Sequence, residues 1–458
     1  MKKQHTYYLL ACLITILTSC SKDWLEAKTD KSLTVPTTLA DFQGMLDNVA
    51  MMTNTSTSNG EIGSDGHFIT DISYQNRAKS VFTDSYIWSK TVRYIGSSTG
   101  WGRIYERILY CNIILDGLQS TQFSDRTQNI EYKNIKGQAL FQRAISFYEV
   151  SRIFAPPYNL NGDNSMPGVI LRLTSDITIA SKRATTQQTY DRILGDLLEA
   201  KDLLPDRPDL LTRASKSAVL ALLARIYLSM EDYDNALKYS TEALSIYSTL
   251  YDYNNLPATN SNIGRYNAEV IFHAYFSDPF LTSNCLIEKS LYDQYDADDL
   301  RKTRFFRVNA STGNITFKGN YEGTTANLFC GLATDELYLI RAECYARDRN
   351  VSNAMEDLNA LMRKRWDMNV PYPEITATDP EDALRKVLTE RKKELILRNV
   401  RWSDLRRLNR DPRFAVTLTR TVDGTTYTLE PNSYKYTFPI PDDIIEQTGI
   451  AQNPGWEK

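Results

Sequence analysis

Two apolar stripes with helical spacing, separated by a short polar break, constrain the fold of this chain more than any other feature. They lie between Ser215 and Tyr247, and Met230–Asp232 forms the break. Apolar residues recur at the spacing of an amphipathic helix. They are Ala218, Leu222, Leu223, Ile226 and Tyr227 in the first stripe, and Tyr233, Ala236, Leu237, Ala243 and Leu244 in the second. The pattern predicts a helical hairpin that must bury a face against neighbouring helices.

A second segment, Asp335–Arg365, repeats this pattern. Aligning the two segments brings three pairs of like residues together: Ala354 with Ala236, Ala342 with Ala224, and Tyr345 with Tyr227. Both segments resemble the tetratricopeptide (TPR) hairpin, a repeat of about 34 residues. Two unrelated helical hairpins are the alternative. Such arrays are scaffolds for binding more often than for catalysis, although a fold does not fix a function.

Other helical stripes place hairpins of the same kind elsewhere in the chain. We expect helical pairs near residues 101–154, 189–247 and 335–398, joined by long irregular loops and a few short strands. The predicted fold class is therefore mostly α, built from TPR-like stacked hairpins. A repeat array of this kind grows without dividing into domains, so we expect one domain over residues 20–458.

The first twenty residues have the features of an export signal. Lys2 and Lys3 precede the apolar stretch Tyr7–Leu17, which is too short to span a bilayer. Leu17–Cys20 (LTSC) then matches the bacterial lipobox. We expect residues 1–19 to be removed and Cys20 to be lipidated, which would anchor the protein in the membrane. An ordinary signal peptide with an incidental cysteine is the alternative.

Composition argues against several classes of function. The formal net charge is −3, which does not suggest a nucleic-acid surface. Only His67 and His273 follow the leader, too few for a His-rich metal site, and the sequence contains neither a G-x-S-x-G elbow nor a P-loop. We therefore expect no cofactor, no metal and no enzyme activity; a pair of carboxylates at glycosidase spacing is the alternative, because a sequence does not show distances in space. Four widely spaced cysteines remain, Cys111, Cys285, Cys330 and Cys344, for which we expect no essential disulfide.

The segment between Thr53 and Gly100 is the candidate binding surface. It is rich in small polar residues yet carries interleaved aromatic ones, which argues against disorder. A sugar binder needs aromatic platforms with planar polar groups around them. The segment offers Asp65, His67, Tyr74, Asn76, Arg77, Tyr86, Trp88 and Tyr94. We expect Trp88 to be the main stacking platform, with a core tryptophan as the alternative, and Tyr292, Tyr295 and Tyr321 to be a second supply.

The C-terminal quarter carries the most specific motifs. They are ERKKEL at Glu390–Leu395, RWSDLRR at Arg401–Arg407, PIP at Pro439–Pro441 and QNPGW at Gln452–Trp456. In this order they resemble the SusD/RagB-like nutrient-binding lipoproteins. The charged residues suggest a structural network, and we expect Arg401, Asp404, Arg406 and Arg407 to pair with Glu390 and Glu394.

The resemblance implies a function in nutrient capture. It suggests a lipoprotein of the outer membrane, facing the cell exterior, that binds a glycan and passes it to a SusC-like, TonB-dependent transporter. The ligand site would lie opposite the TPR face, on the irregular segments. Two alternatives remain: a member of the same uptake system that captures peptides, and a structural TPR adaptor without a small ligand.

Overall fold

A computed structural model of the 458-residue chain describes most of the sequence. The described residues are 36–54, 57–94, 100–119, 129–257, 263–283 and 285–457. The predicted leader and the candidate lipidation site, Cys20, lie outside this part of the chain.

The fold is mostly helical, with eighteen α-helices in the part of the chain that the structure describes. They are α1 Leu39–Leu46, α2 Val49–Met52, α3 Asn59–Gly63, α4 Asp71–Gln75, α5 Val81–Tyr86, α6 Gly100–Leu118, α7 Ile130–Phe154, α8 Thr186–Leu203, α9 Lys216–Ser229, α10 Tyr233–Ile246, α11 Pro279–Ser283, α12 Lys289–Tyr292, α13 Arg301–Arg304, α14 Thr334–Arg347, α15 Val351–Met362, α16 Pro380–Glu394, α17 Arg401–Leu408 and α18 Asp442–Thr448. The prediction of a mostly α fold is confirmed.

The long helices stack as antiparallel neighbours and form the wall of the molecule. Helices α6 to α10 pack in chain order, and α10 then packs against α14 of the next hairpin. Ser215 and Asp232 cap α9 and α10, because each side chain accepts a hydrogen bond from a main-chain amide in the first turn. Ala224 and Ala236 are fully buried, which lets the two helices approach closely.

The second hairpin is built in the same way. Asn350 caps α15 by accepting a hydrogen bond from the amide of Asn353, and Ala342 and Ala354 are fully buried. Helix α16 packs on α14 and α15, and its first turn is fixed by Asp379 at the cap and Pro380 at the first helical position. The coincident alanines of the two hairpins therefore have the same role in packing.

Short strands brace the segments between the helices. They are β1 His67–Phe68, β2 Pro167–Ile170, β3 Arg183–Thr185, β4 Val270–Phe272, β5 Tyr275–Phe276, β6 Leu286–Ile287, β7 Phe306–Val308, β8 Ile315–Phe317, β9 Leu328–Phe329, β10 Leu332–Ala333, β11 Leu418–Val422 and β12 Thr425–Leu429. They form two-stranded antiparallel sheets: β1 with β6, β2 with β3, β4 with β10, β5 with β9, β7 with β8, and β11 with β12.

One strand pairing differs from the pattern in the sequence. Alternating residues suggest that Thr425–Leu429 pairs with Tyr434–Phe438, but it pairs with β11, and Tyr434–Tyr436 forms a 3₁₀ turn. Asp423 and Gly424, at the tip of this hairpin, both have positive φ, at 54° and 74°. An Asp-Gly pair of this kind is a strong signal for a two-residue hairpin turn, and it identifies the correct partner strand.

Trp402 on α17 joins the C-terminal motifs to the loop side of the wall. Its side chain is completely buried, its Nε1 donates to the Tyr436 carbonyl at 3.1 Å, and its ring packs on those of Tyr436 and Phe438. Gly60 of α3 lies so close that a Cβ there would stand 2.8 Å from the Trp402 ring. The tryptophan of the RWSDLRR motif therefore packs directly against α3.

We expect Trp402→Ala to lower the free energy of unfolding by about 3–5 kcal/mol, because it removes a buried ring and leaves a cavity. Denaturant unfolding measures this change. Trp456→Ala is the control, since Trp456 is only half-buried and should cost less. Equal effects of the two substitutions would contradict the central position of Trp402.

Candidate functional site

A buried ionic centre links the helical wall to the irregular segments. Glu394 Oε1 accepts from Arg365 Nη2 at 2.7 Å, and Glu394 Oε2 accepts from Arg301 Nη1 at 2.9 Å. Arg365 Nη2 also donates to Glu269 Oε1 at 2.8 Å. Asp335 lies beside them and pairs with Arg398 at 3.3 Å. We call Glu269, Arg301, Asp335, Arg365 and Glu394 the ionic centre; all five side chains are essentially inaccessible to solvent.

The acidic members of the ionic centre have unequal proton affinities. Burial acts to raise the pKa of Glu394, but Arg365 and Arg301 outweigh it and hold that pKa at about 2. Burial raises the pKa of Glu269 to about 7, against the attraction of Arg365. Among the described residues, Glu269, Asp335 and Glu394 form the one acidic trio with oxygens close enough to hold a metal, within 4.8 Å of one another. Arginine and tyrosine donors already occupy those oxygens, so the trio is a structural ion-pair cluster.

The charged residues of two C-terminal motifs, ERKKEL and RWSDLRR, pair with different partners from those expected. Glu390 and Glu394 pair with Arg301, not with the residues of the RWSDLRR motif. The four charged residues of that motif bind elsewhere: Arg401 to Asp65, Asp404 to Arg391 and Arg407, Arg407 also to Glu343, and Arg406 to the main-chain carbonyls of Arg152 and Ala155. The expected pairing is wrong: Arg301 from another segment takes both glutamates, and the ion pair between α16 and α17 joins Arg391 to Asp404 instead.

Asp65 ties the candidate binding segment to the C-terminal motifs. Its carboxylate accepts from Arg401 Nε at 2.6 Å and from Lys392 Nζ at 2.7 Å. Burial acts to raise the pKa of Asp65, but Arg401 and Lys392 outweigh it and hold the pKa well below its usual range. Asp65 is therefore a structural anchor of the segment and is already occupied by two cations.

Trp88, the expected stacking platform, is buried. Only 5% of its surface is exposed, and its Nε1 donates to the Gly63 carbonyl at 2.9 Å. Its backbone has a φ of 51°, in the left-handed region. The Arg420 guanidinium lies 4.8 Å from its ring centre. The position of Trp88 does not fit a platform for a sugar, because the segment that was expected to display the ring encloses it.

Two other residues of the segment share this buried position. Tyr86 is 2% exposed, its hydroxyl accepts from the Ile69 amide at 3.0 Å, and its ring lies 3.9 Å from the Arg420 guanidinium. His67 is 1% exposed, and burial lowers its pKa to about 3, so the imidazole is neutral. Arg420 donates to the carbonyls of Ile62, Ser64 and Tyr86. This group holds the segment in shape and presents no open ring face.

The accessible part of the segment lies beside the β11–β12 hairpin. Tyr74 is half-buried, and burial raises the pKa of its hydroxyl, with Tyr427 and Asp84 adding to the rise and Arg93 acting against it. Gln75 Nε2 donates to Asp423 Oδ1 at 2.6 Å, which fixes α4 against the hairpin. We call Tyr74, Arg93 and Tyr427 the Tyr74 surface. Sequence reasoning missed Arg93 and Tyr427, although the Asp-Gly turn identifies the hairpin that carries Tyr427.

The remaining residues of the segment have separate positions. Asn76 is exposed, and Arg77 is half-exposed with its guanidinium 4.8 Å from the Phe280 ring. Tyr94 is half-buried and donates to the Pro439 carbonyl at 3.0 Å, which brings the segment onto the PIP motif.

The second group of tyrosines is mostly internal. Tyr321 is fully buried, and its hydroxyl donates to Glu269 and lies 3.2 Å from Asp335, within the ionic centre. Tyr295 is 1% exposed and donates to the Lys393 carbonyl at 2.8 Å. Neither has a ring face open to a ligand. Tyr292 alone of the three is partly accessible, with Lys302 Nζ 5.2 Å from its ring centre.

Two further observations concern the described residues. Cys111, Cys285, Cys330 and Cys344 are buried and free, and burial raises the pKa of each thiol. Within the described ranges, every helix is too short or too polar to cross a bilayer.

These features define a class: a protein of stacked helical hairpins with long, ionically anchored segments on one side. A family model described as starch-binding and associating with the outer membrane matches residues 23–228, and a model of the SusD family matches residues 332–456. The chain belongs to the SusD/RagB-like family. A search of curated proteins gives no match.

Solved structures share this fold at low sequence identity. A SusD superfamily protein from Bacteroides thetaiotaomicron VPI-5482 has a TM-score of 0.74 at 20% identity, over 91% of this chain and 100% of that chain. A SusD-like carbohydrate binding protein from Bacteroides vulgatus ATCC 8482 has a TM-score of 0.66 at 18% identity, over 90% and 96%. A laminarin binding SusD-like protein has a TM-score of 0.65 at 17% identity, over 91% and 98%.

Glu61 and Asp65 lie close together in the sequence, and we expect them to change the free energy of unfolding with pH in opposite directions. Burial raises the pKa of Glu61 from 4.5 to about 8, and its Oε2 has no hydrogen-bond partner in the part of the chain that the structure describes. Above pH 4.5 the unfolded chain releases this proton first, so the chain loses stability as the pH rises towards 8. We expect Glu61→Gln to raise the free energy of unfolding at pH 8 by about 1–3 kcal/mol and to have little effect near pH 4.

Asp65→Asn is the matched comparison. The pKa of Asp65 is depressed in the folded state, so its contribution is present at neutral pH and is lost as the pH falls. We expect this substitution to lower the free energy of unfolding by about 2 kcal/mol at pH 7 and to have a smaller effect in acid. Denaturant unfolding of both variants at several pH values measures the difference, and effects of the same sign at pH 8 would contradict these assignments.

Proposed function

We propose that this protein is a cell-surface glycan-binding lipoprotein that passes its ligand to a SusC-like, TonB-dependent transporter. The observation that carries the proposal is family membership over both ends of the chain, in a family of binding proteins of the outer membrane. Solved relatives with the same fold include a carbohydrate binding and a laminarin binding protein.

The Tyr74 surface is the proposed contact for the glycan. A half-exposed tyrosine ring offers a flat apolar face for the C–H face of a sugar. Arg93, whose side chain is 40% exposed, supplies donors for ring hydroxyls beside it. Asn76, Arg77 and Tyr292 are the other accessible residues of the expected set and remain separate candidate contacts. Tyr86 and Trp88 lie against Arg420, which is the cross-strand neighbour of Tyr427 in the β11–β12 hairpin.

Two alternative functions can be distinguished from glycan capture by the ligand that they predict. A peptide ligand would use the same family of transporters, and its binding would respond to peptides and not to soluble glycans. A structural adaptor would bind a protein partner and no small ligand. The partly accessible tyrosine beside an arginine favours the glycan, because these groups match a sugar ring with its hydroxyl rim.

The proposed mechanism is capture close to a tethered partner. Acyl chains on Cys20 would hold the binder at the membrane beside its barrel partner, and each buried CH₂ contributes about 0.8 kcal/mol to that attachment. Tethering raises the effective concentration of one partner at the other, so a weak contact is enough to close the pair over a ligand.

We expect a soluble glycan, such as a β-glucan of the laminarin type, to bind the purified protein, and Tyr74→Ala to weaken binding about tenfold through the loss of ring stacking. Isothermal titration against a panel of glycans and peptides measures this. Tyr266→Ala is the control, because Tyr266 is also an accessible tyrosine, 46% exposed, but it lies outside the Tyr74 surface and packs on His273. Equal losses in both variants, or binding to peptides alone, would count against the proposal.

The transporter partnership predicts a stable complex in the outer membrane. Purification of the protein from membranes in mild detergent should recover a large β-barrel protein with it. Cys20→Ser should leave the chain unlipidated and reduce this recovery, because the tether is lost. Surface labelling of the Cys20→Ser variant at the level of the unaltered protein would contradict the lipid anchor, and repeated recovery of a lone chain would contradict the partnership.

A further inference from the structure

A cavity of about 310 Å³ opens where the C-terminal motifs meet the end of α7. One wall comes from Pro156 and Pro157, which end α7, and from Asn453 and Pro454 of the QNPGW motif. The rest of the lining comes from the end of α17 and from the turn that follows β12: Arg406, Asn409, Arg410, Asn432, Ser433, Tyr434, Tyr436 and Thr437, with Met166 at the edge. Its volume lies at the lower end of the range for sites that bind small molecules. It shares no residue with the Tyr74 surface.

The lining of this cavity is positively charged. It contains two arginines, and none of the described residues that line it is an aspartate or glutamate. Arg410 pairs with Glu231 at 2.8 Å. Arg406 has only main-chain partners, the carbonyls of Arg152 and Ala155, and among the described residues no carboxylate lies within ion-pair distance of it. Burial lowers the pKa of Arg406 to about 10, so its charge persists at neutral pH.

Polar atoms in the wall lack partners as well. Asn409 Nδ2, Tyr436 OH and Arg406 Nε are buried, and none of them meets the criteria for a hydrogen bond to another described residue. Burial raises the pKa of Tyr436 to about 12, and the neighbouring Asn409 side chain offsets part of that rise, so these two groups face each other. A buried donor without a partner costs about 1–3 kcal/mol, so unpartnered donors on residues that line one cavity suggest that a ligand supplies acceptors.

The rim of the cavity is aromatic. Tyr434 is 42% exposed, and its ring meets the Trp456 ring edge-on at 5.2 Å. Gly455 allows this contact, because its φ is 85° and a Cβ there would stand 2.6 Å from the Tyr434 ring. The flat faces of Pro156, Pro157 and Pro454 complete an apolar border. A ligand that fits this border has a flat apolar face.

We propose that this cavity is a second binding site, for a sugar acid: one pyranose ring that carries a carboxylate. The carboxylate would compensate the charge of Arg406 and accept from the Asn409 amide and the Tyr436 hydroxyl. The C–H face of the ring would lie on Tyr434 and the prolines. A neutral sugar of the same size leaves the arginine without a counter-charge, so selectivity for the acid follows from the lining. The free acid and the end unit of an acidic oligosaccharide share this chemistry.

The test is isothermal titration of the full-length protein in detergent with sodium galacturonate, with trigalacturonate, and with galactose as the neutral counterpart. We expect galacturonate to bind and galactose to bind at least about tenfold more weakly, because only the acid satisfies the arginine. Tighter binding of trigalacturonate than of galacturonate would assign the site to the end of a chain, and equal binding would assign it to the free acid; either result supports the proposal.

Two variants test the polar side chains in the wall of the cavity. Tyr436→Phe removes only the unpartnered hydroxyl, so it should weaken galacturonate binding about fivefold and leave Tm unchanged or raised. Asn409→Asp keeps the oxygen that accepts from the Val416 amide at 3.1 Å and adds a negative charge, which should abolish binding. Tyr372→Phe is the control: its hydroxyl donates to Asn359 at 2.6 Å, outside the cavity, so this variant should lose stability and keep its affinity.

Three results would overturn the proposal. They are the absence of galacturonate binding at millimolar concentration, equal affinity for galactose, and unaltered affinity in both wall variants. Tyr74→Ala separates this site from the proposed glycan surface, because it should leave galacturonate binding unchanged. The two proposals therefore fail independently.

Discussion

The ion pairs of Arg365 and Arg301 with Glu394 are the interaction on which the rest of the structure depends. Glu394 ends α16, Arg365 follows α15, Arg301 begins α13, and Glu269 precedes β4. One buried cluster therefore joins the helical wall to the long segments that leave it. Removing charges from water is costly, and breaking such a pair by loss of one partner leaves an uncompensated charge inside the protein. The cluster thus fixes one arrangement of the loops more than it adds to net stability.

The sequence predicts the wall better than the loops, for a physical reason. Helical periodicity depends on neighbours in the chain, so the spacing of Ala224, Ala236 and Ala342 is enough to mark them as close helix contacts. The partner of a charge depends on the tertiary arrangement. Arg401 therefore binds Asp65, which is distant in the sequence, and not the nearby glutamates that helical spacing suggests. The sequence therefore identifies the family from its motifs taken together, but it does not identify the contacts that the residues of those motifs make.

The error at Trp88 has the same origin. Composition shows that the segment contains aromatic and planar polar residues, but not which side of it faces water. The left-handed backbone at Trp88 and the Arg420 guanidinium beneath it turn the ring inwards, and neither leaves a periodic signal in the sequence. Tyr74 and Tyr427 come together only through the β11–β12 hairpin. An Asp-Gly pair predicts that hairpin, but not its contact with α4.

Arginines that hold main-chain carbonyls explain how long irregular segments are kept in place with so few strands. Arg420 binds three carbonyls of the segment that carries Trp88, and Arg406 binds two at the end of α7. The planar guanidinium replaces the ladder partners that such backbone lacks. The two arginines differ in their surroundings, since aromatic rings cover Arg420, whereas Arg406 borders an open cavity and has no carboxylate partner among the described residues. An arginine whose only role is to bind backbone carbonyls is best enclosed by protein. Arg406 instead borders a cavity large enough for a small ligand, which indicates a second role for it.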